Sequence, residues 1–183
     1  MNFIREEDTG AWRLEFAAEE SKPVSDLLLR MLEHYQIEFS TLPEALQRYW
    51  RGCLSKAGNP EELKEAREHL QEERLVWRGE RMALLEKWYK DSKSVAEDQP
   101  WTLALSPEEF ESLLVILNDR RLMLATQYGM NEEDLENAWT KKAQTQDLPA
   151  LLALQEIEML GNLQYILLGA LHPDLKIEEE PNL

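Results

Sequence analysis

Residues Ser106 to Gly129 read SPEEFESLLVILNDRRLMLATQYG, and this stretch decides the fold more than any other part of the chain. Ser106 can cap the free amides of a helix, Pro107 suits the first helical position, and Glu109 completes a capping box. Gly129 suits the left-handed residue that ends many helices. Apolar residues lie on nearly every side between these two ends, which is typical of a buried helix. The sequence therefore predicts a central core helix here.

Helical patterns recur on both sides of this segment. Apolar residues repeat at intervals of three and four, and residues that favour helix ends separate the repeats. The patterns predict helices that begin near Pro23, between Thr41 and Cys53, from Asn59 to about Tyr89, from Asn131 to Trp139, and from about Leu148 to Leu171. Together with the central helix, this indicates a bundle of five or six helices.

The first sixteen residues follow a different pattern. Trp12, Leu14 and Phe16 alternate with polar residues, and Gly10 suits a hairpin turn before them. A similar alternation over residues 101–105 could form a short strand that joins this hairpin. We predict an α+β, predominantly α fold, with one domain over residues 1–172 and an acidic, frayed tail over residues 173–183.

Composition excludes several classes of function. The chain has 183 residues and a net charge of −16, which argues against binding to nucleic-acid phosphates or to anionic membranes. The sequence contains no apolar run of the length that spans a bilayer, and its N-terminus does not resemble a signal peptide. We therefore predict a cytoplasmic protein that has no membrane partner. The acidic charge keeps the protein soluble or favours basic partners.

The residues that could support catalysis are few. Cys53 is the single cysteine, so neither an intrachain disulfide nor a multi-cysteine metal site can form. No histidine follows a glutamate at the spacing of a di-metal helical bundle, and no glycine-rich phosphate loop occurs. A cluster that includes Glu65, His69 and Glu73 could bind one metal ion weakly, or it is an ordinary charged helix face. We predict no enzyme activity and no cofactor.

Two charged residues fall within apolar arcs. Arg121 lies in the middle of the arc that runs from Phe110 to Tyr128, and Glu156 lies in the middle of an arc on the last helix that includes Leu152 and Met159. A buried guanidinium or carboxylate is costly unless it is paired. The pattern therefore predicts a buried ion pair between Arg121 and Glu156, whose role is structural or, for Arg121, the binding of an anionic ligand.

Two short motifs resemble a known bacterial family. They are Leu117-Asn118-Asp119 followed by Arg121-Leu122, and Leu154-Gln155-Glu156 near the end of the chain. Both are similar to segments of the AosR-like oxidative-stress regulators, a family first catalogued as a domain of unknown function. The order of the N-terminal hairpin and the first helix also agrees with this family.

The resemblance implies a regulatory role in the stress response. Members of the family contact other proteins, so it implies a sigma factor or a component of the Clp protease system as the partner. The redox switch of such members uses a pair of cysteines, and this chain has only Cys53. Intermolecular disulfide formation or sulfenylation of Cys53 is one interpretation, and a half-buried core cysteine is the other.

The resulting prediction is a non-catalytic, adaptor-like protein that acts by protein–protein interaction. Asn118, Asp119 and Arg120 are its candidate partner-facing residues, or they bridge elements within the fold. The alternative is a helical domain that binds a small molecule or a metal ion and has an unrecognised activity.

Overall fold

The computed structural model describes residues 1–51, 59–95, 99–131 and 147–171. The chain divides into two compact units, Met1–Ser112 and Leu113–Leu183. The described elements are strands β1 (Asn2–Arg5), β2 (Trp12–Phe16) and β3 (Trp101–Leu105), and helices α1 (Ala18–Gln36), α2 (Glu44–Arg51), α3 (Pro60–Lys93), α4 (Pro107–Gln127) and α5 (Leu148–Leu171). The predicted α+β, predominantly α fold is confirmed.

Several predictions concern residues outside this described part. These are the helix beyond Asn131, the environment of Cys53, and the tail over residues 173–183. The single domain over residues 1–172 also stays a prediction. Among the described residues, every helix falls short of the length or the apolar character that crossing a bilayer would take.

The first unit contains a three-stranded antiparallel sheet with β2 in the centre. Gly10, at a φ of 68°, forms the turn between β1 and β2, and β3 joins the hairpin as predicted. Leu14 lies opposite Leu103, and Phe16 lies opposite Trp101 with the two rings stacked at 5.2 Å. The alternating side chains of β2 and β3 thus cover one buried face of the sheet.

Helix α3 packs mainly against α1 and also against α2. Buried polar contacts accompany this packing: the Ser92 hydroxyl donates to the Ser25 hydroxyl at 3.0 Å, and Arg78 Nη2 donates to the Ile37 carbonyl at 2.6 Å. Helix α1 begins at Ala18, not near Pro23, which lies inside it. The earlier start has a local cause, because the Glu20 carboxylate accepts a hydrogen bond from the Ala17 amide at 2.9 Å.

Both ends of α4 form as the sequence predicts. The Ser106 amide donates to Glu109 Oε2 at 3.0 Å, and the Glu109 amide donates to the Ser106 hydroxyl at 3.2 Å, which completes the capping box. Gly129 has a φ of 60°, and the Met130 amide donates to the Ala125 carbonyl at 2.8 Å. This is the hydrogen-bond pattern of a Schellman ending.

Glu109 also accepts a hydrogen bond from Lys87 Nζ of α3 at 2.8 Å. Burial raises the pKa of the Glu109 carboxyl, but the hydrogen bonds from Lys87 and from the Ser106 amide, together with the Lys87 charge, outweigh burial and hold the pKa below its usual value. The first turn of α4 is thereby tied to α3 within the first unit.

Candidate interaction surface

The second unit contains most of α4 and all of α5, and a buried ion pair joins these two helices. Arg120 Nε of α4 donates to Glu156 Oε1 of α5 at 2.8 Å, and the two side chains are only 11% and 14% exposed. The pair satisfies both charges where water has little access, so breaking one partner is costly. It therefore fixes how α5 is rotated against α4.

The prediction of Arg121 as the partner of Glu156 was wrong by one residue. The buried residues of α4, including Ile116, Leu117 and Leu124, form an arc that is centred on Arg120. Neighbouring helix positions differ by about 100°, and a helix that is apolar on nearly every side fixes that rotation poorly. The sequence thus located the carboxylate and the pairing helix, but not which of the two adjacent arginines points inward.

Arg121 has a neutral partner. Its Nη1 donates to Gln164 Oε1 of α5 at 2.8 Å, and Gln164 Nε2 in turn donates to the Leu114 carbonyl of α4 at 2.8 Å. The guanidinium lies over Gly161, because a Cβ atom at that position would be 3.4 Å from Arg121 Nη2. Gly161 therefore gives the planar guanidinium the room to lie against the backbone of α5.

Two of the three candidate partner-facing residues do not face a partner. Asp119 is 2% exposed, and Arg120 is buried and bound to Glu156, so that prediction was wrong for both. They lie within the same buried arc of α4, which explains why they are inaccessible. Asn118 is half-buried, and its role stays a prediction.

The outward side of α5 is uncharged and mostly apolar. Leu152 and Met159, which the sequence placed in the core, are exposed, and Leu152 keeps 55% of its surface accessible. Ala153, Leu154 and Ile157 are buried in their place, because Glu156 turns toward Arg120. The exposed residues of α5 are Leu148, Pro149, Leu152, Gln155, Met159, Asn162, Tyr165, Ile166 and Leu168.

None of these exposed residues is charged, although 31% of the chain is charged. We call the line formed by Leu148, Leu152, Gln155, Met159, Asn162 and Ile166 the α5 face. It extends for about 27 Å along the helix, at about 1.5 Å for each residue. Single exposed apolar residues are ordinary, but a continuous uncharged line of this length is typical of a contact surface.

A second group of exposed apolar residues is smaller. Val76 of α3 is 60% exposed, and Leu75 and Trp77 beside it are also exposed. They are consecutive and so point in different directions around the helix, and Glu72, Glu73 and Glu80 lie around Val76. This group is therefore a weaker candidate than the α5 face.

The described residues contain no side-chain cluster that could bind a metal ion. Within residues 1–51, 59–95, 99–131 and 147–171, no group of three or more His, Cys, Asp and Glu side chains could hold a metal ion. The helix face with Glu65, His69 and Glu73 is exposed, and ordinary solvation accounts for it.

Sequence reasoning missed the α5 face because leucine, methionine and isoleucine at helical spacing usually indicate a core. One signal was present: α5 contains no basic residue and only two acidic ones, Glu156 and Glu158. A helix of 24 residues that must have one side in water would ordinarily carry more charge.

Comparison of the chain with protein-family models, with curated proteins and with solved structures returns no match. The resemblance to the AosR-like regulators therefore stays a prediction that rests on the two short motifs.

Proposed function

We propose that this chain is a non-catalytic regulatory or adaptor-like protein that acts in the cytoplasm by binding another protein through the α5 face. The observation that carries the proposal is the uncharged, mostly apolar and exposed character of that face. Burying such a surface in a complex is favourable by about 25 cal/mol for each Å² of apolar area removed from water. If the α5 face only ever contacted water, its apolar side chains would give no such favourable free energy.

The rotation of α5 supports the same proposal. The Arg120–Glu156 pair and the Gln164 hydrogen bonds hold α5 in one orientation, so the apolar line is presented by a fixed helix. A contact surface that is already ordered loses less conformational entropy when a partner binds. The buried polar contacts between α4 and α5 thus hold in place the α5 face, which lies on the opposite side of α5.

The family resemblance adds a context to the proposal. It implies a role in the stress response and a sigma factor or a Clp-system component as the partner. Since Cys53 is the single cysteine, a thiol-based response to oxidant would pass through that residue or through thiols of the partner. The alternative, a small-molecule- or metal-binding domain, has no specific observation in its favour within the described part of the chain.

The proposal is tested by quantitative capture from the host. The tagged wild type is compared with Leu152→Glu and Ile166→Glu, and Val76→Glu serves as the matched control because it adds the same charge at an exposed apolar residue of α3. We expect a near-stoichiometric partner that both α5 variants lose and the Val76→Glu variant keeps. A partner that survives both α5 substitutions, or the absence of any stoichiometric partner with and without oxidant, would refute the proposal.

A further inference from the structure

The α5 face has the spacing of a coiled-coil seam. Its six residues follow each other at alternating intervals of four and three, from Leu148 through Gln155 to Ile166, and all six are exposed. This spacing keeps them on one line along the helix, which is the geometry of a helix that packs nearly parallel or antiparallel against another helix. The α5 face therefore suits a second helix along its whole length.

Two of these six residues are amides. Gln155 and Asn162 are seven residues apart, and the other four residues of the face are apolar. An amide that becomes buried between two helices costs free energy unless it meets a hydrogen-bonding group of the other helix. The occupant should therefore offer polar groups at two heights that are one heptad apart, and apolar groups at the other four. The α5 face has this pattern itself, so a second copy of the chain provides it.

The parallel orientation of two copies brings the amides together. When the two α5 helices are parallel and in register, each residue of the face lies opposite the same residue of the other copy, so Gln155 meets Gln155 and Asn162 meets Asn162. Each amide has donors and acceptors, so two like amides can hydrogen-bond to each other. An antiparallel pair that overlaps along the whole line instead places Gln155 opposite Met159 and Asn162 opposite Leu152.

Charge beside the face favours the same orientation. Glu158 flanks the line, and the antiparallel pair brings it opposite Glu158 of the other copy, where the like charges repel. In the parallel pair Glu158 lies opposite Leu163. The face itself is uncharged although the chain has a net charge of −16, so two copies can approach each other there without bringing like charges into contact.

From these observations we propose that a second copy of this chain covers the α5 face when no partner is bound, with the two α5 helices parallel and in register. The inference rests on the proposed function and adds how the same surface is regulated, because a partner has to displace the second copy. The charge of −16 on each copy opposes the association, so we expect a dimer that dissociates on dilution.

The first test is the oligomeric state of the full chain, measured by analytical ultracentrifugation at about 0.15 M salt, where charges are screened beyond about 8 Å. We expect the wild type to pass from 21.4 kDa towards twice that mass as its concentration rises. Leu152→Glu and Ile166→Glu should stay monomeric, because each places carboxylates against each other at the seam. Val76→Glu adds the same charge at an exposed apolar residue of α3 and should dimerise as the wild type does.

The second test is disulfide crosslinking, which reports the orientation of the two helices. Cys53→Ser removes the single native thiol, and Leu152→Cys or Asn162→Cys then places one thiol on the α5 face. Each variant should crosslink to itself on oxidation, because parallel pairing brings like positions together. In a mixture of the two variants, one of them tagged to change its mass, the mixed disulfide should be absent. The two positions are about 15 Å apart along the helix, whereas a disulfide joins Cα atoms about 4.4–6.8 Å apart.

Three outcomes would overturn the inference. The first is a wild type that stays at 21.4 kDa at the highest concentration reached, and the second is a dimer that both Leu152→Glu and Ile166→Glu keep. The third is a mixed disulfide between positions 152 and 162 that forms in preference to the like pairs, which would make the pairing antiparallel. The proposed function is judged separately, because capture from the host still decides whether another protein binds the α5 face.

Discussion

At the scale of single residues, Arg120 and Arg121 show that adjacent residues of one helix can bind different kinds of side chain. Arg120 points into the buried arc of α4 and binds a carboxylate, while Arg121 lies over Gly161 and binds an amide. The first contact is a buried ion pair between α4 and α5, and the second is a hydrogen bond to a neutral amide of α5. Removing each charge should therefore have a different effect on stability.

Arg120→Met should lower the free energy of unfolding by about 3–5 kcal/mol, because it removes the cation that hydrogen-bonds to the largely buried Glu156 carboxylate. Arg121→Met should cost less, about 1.5–3 kcal/mol, because it removes one hydrogen bond between a charged group and a neutral amide. Urea unfolding followed by circular dichroism measures both values, and the double variant Arg120→Met/Glu156→Leu should regain most of the loss. Equal losses in the two single variants would contradict this assignment of roles.

At the scale of helices and strands, local chemistry was readable from the sequence. Ser106 and Glu109 specify where α4 begins, Gly129 specifies where it ends, and the alternation of Trp101, Leu103 and Leu105 specifies β3. The predictions of the helix ends depend only on how the backbone is capped there, and the prediction of β3 depends only on apolar side chains that alternate along the strand. They are confirmed because each rests on contacts within a few residues or on one buried face.

The rotation of α4 and α5 could not be read in the same way. Both helices are apolar on most sides, so the hydrophobic pattern allows several orientations of nearly equal burial. Which residues turn inward is decided by the Arg120–Glu156 pair, a contact between residues that are 36 positions apart. For the same reason Leu152 was predicted in the core, and the α5 face became visible only in the structure.

Two glycines in or beside helices should respond to alanine in opposite directions. Gly79 lies within α3 and is exposed, and a Cβ atom added there would meet no other atom within 4 Å, so Gly79→Ala should stabilise the chain by about 1 kcal/mol. Gly129 has a φ of 60°, where an L-residue costs about 1–2 kcal/mol, so Gly129→Ala should destabilise it. Thermal unfolding midpoints should rise and fall accordingly. A stabilising Gly129→Ala would contradict the Schellman ending.

At the scale of the whole molecule, charge is distributed unevenly. The chain has 36 acidic and 20 basic residues, and α3 is rich in both, whereas α5 contains only Glu156 and Glu158. An acidic surface opposes self-association and binding to phosphates, so the uncharged α5 face is where another molecule can approach without meeting like charge. The distribution therefore favours one contact surface over the rest of the described exterior.

The same excess of acid should oppose folding, which leads to a prediction about salt. Raising NaCl from about 0.01 M to about 0.15 M shortens the screening length from about 30 Å to about 8 Å, and so weakens the repulsion between carboxylates in the folded state. The urea midpoint at pH 7 should therefore rise with salt. Near pH 4.6, the pI of the sequence, the net charge is close to zero and the rise should largely disappear. A midpoint that falls with salt at pH 7 would show that exposed ion pairs such as Arg13–Glu15 outweigh the repulsion, because salt screens attraction as well.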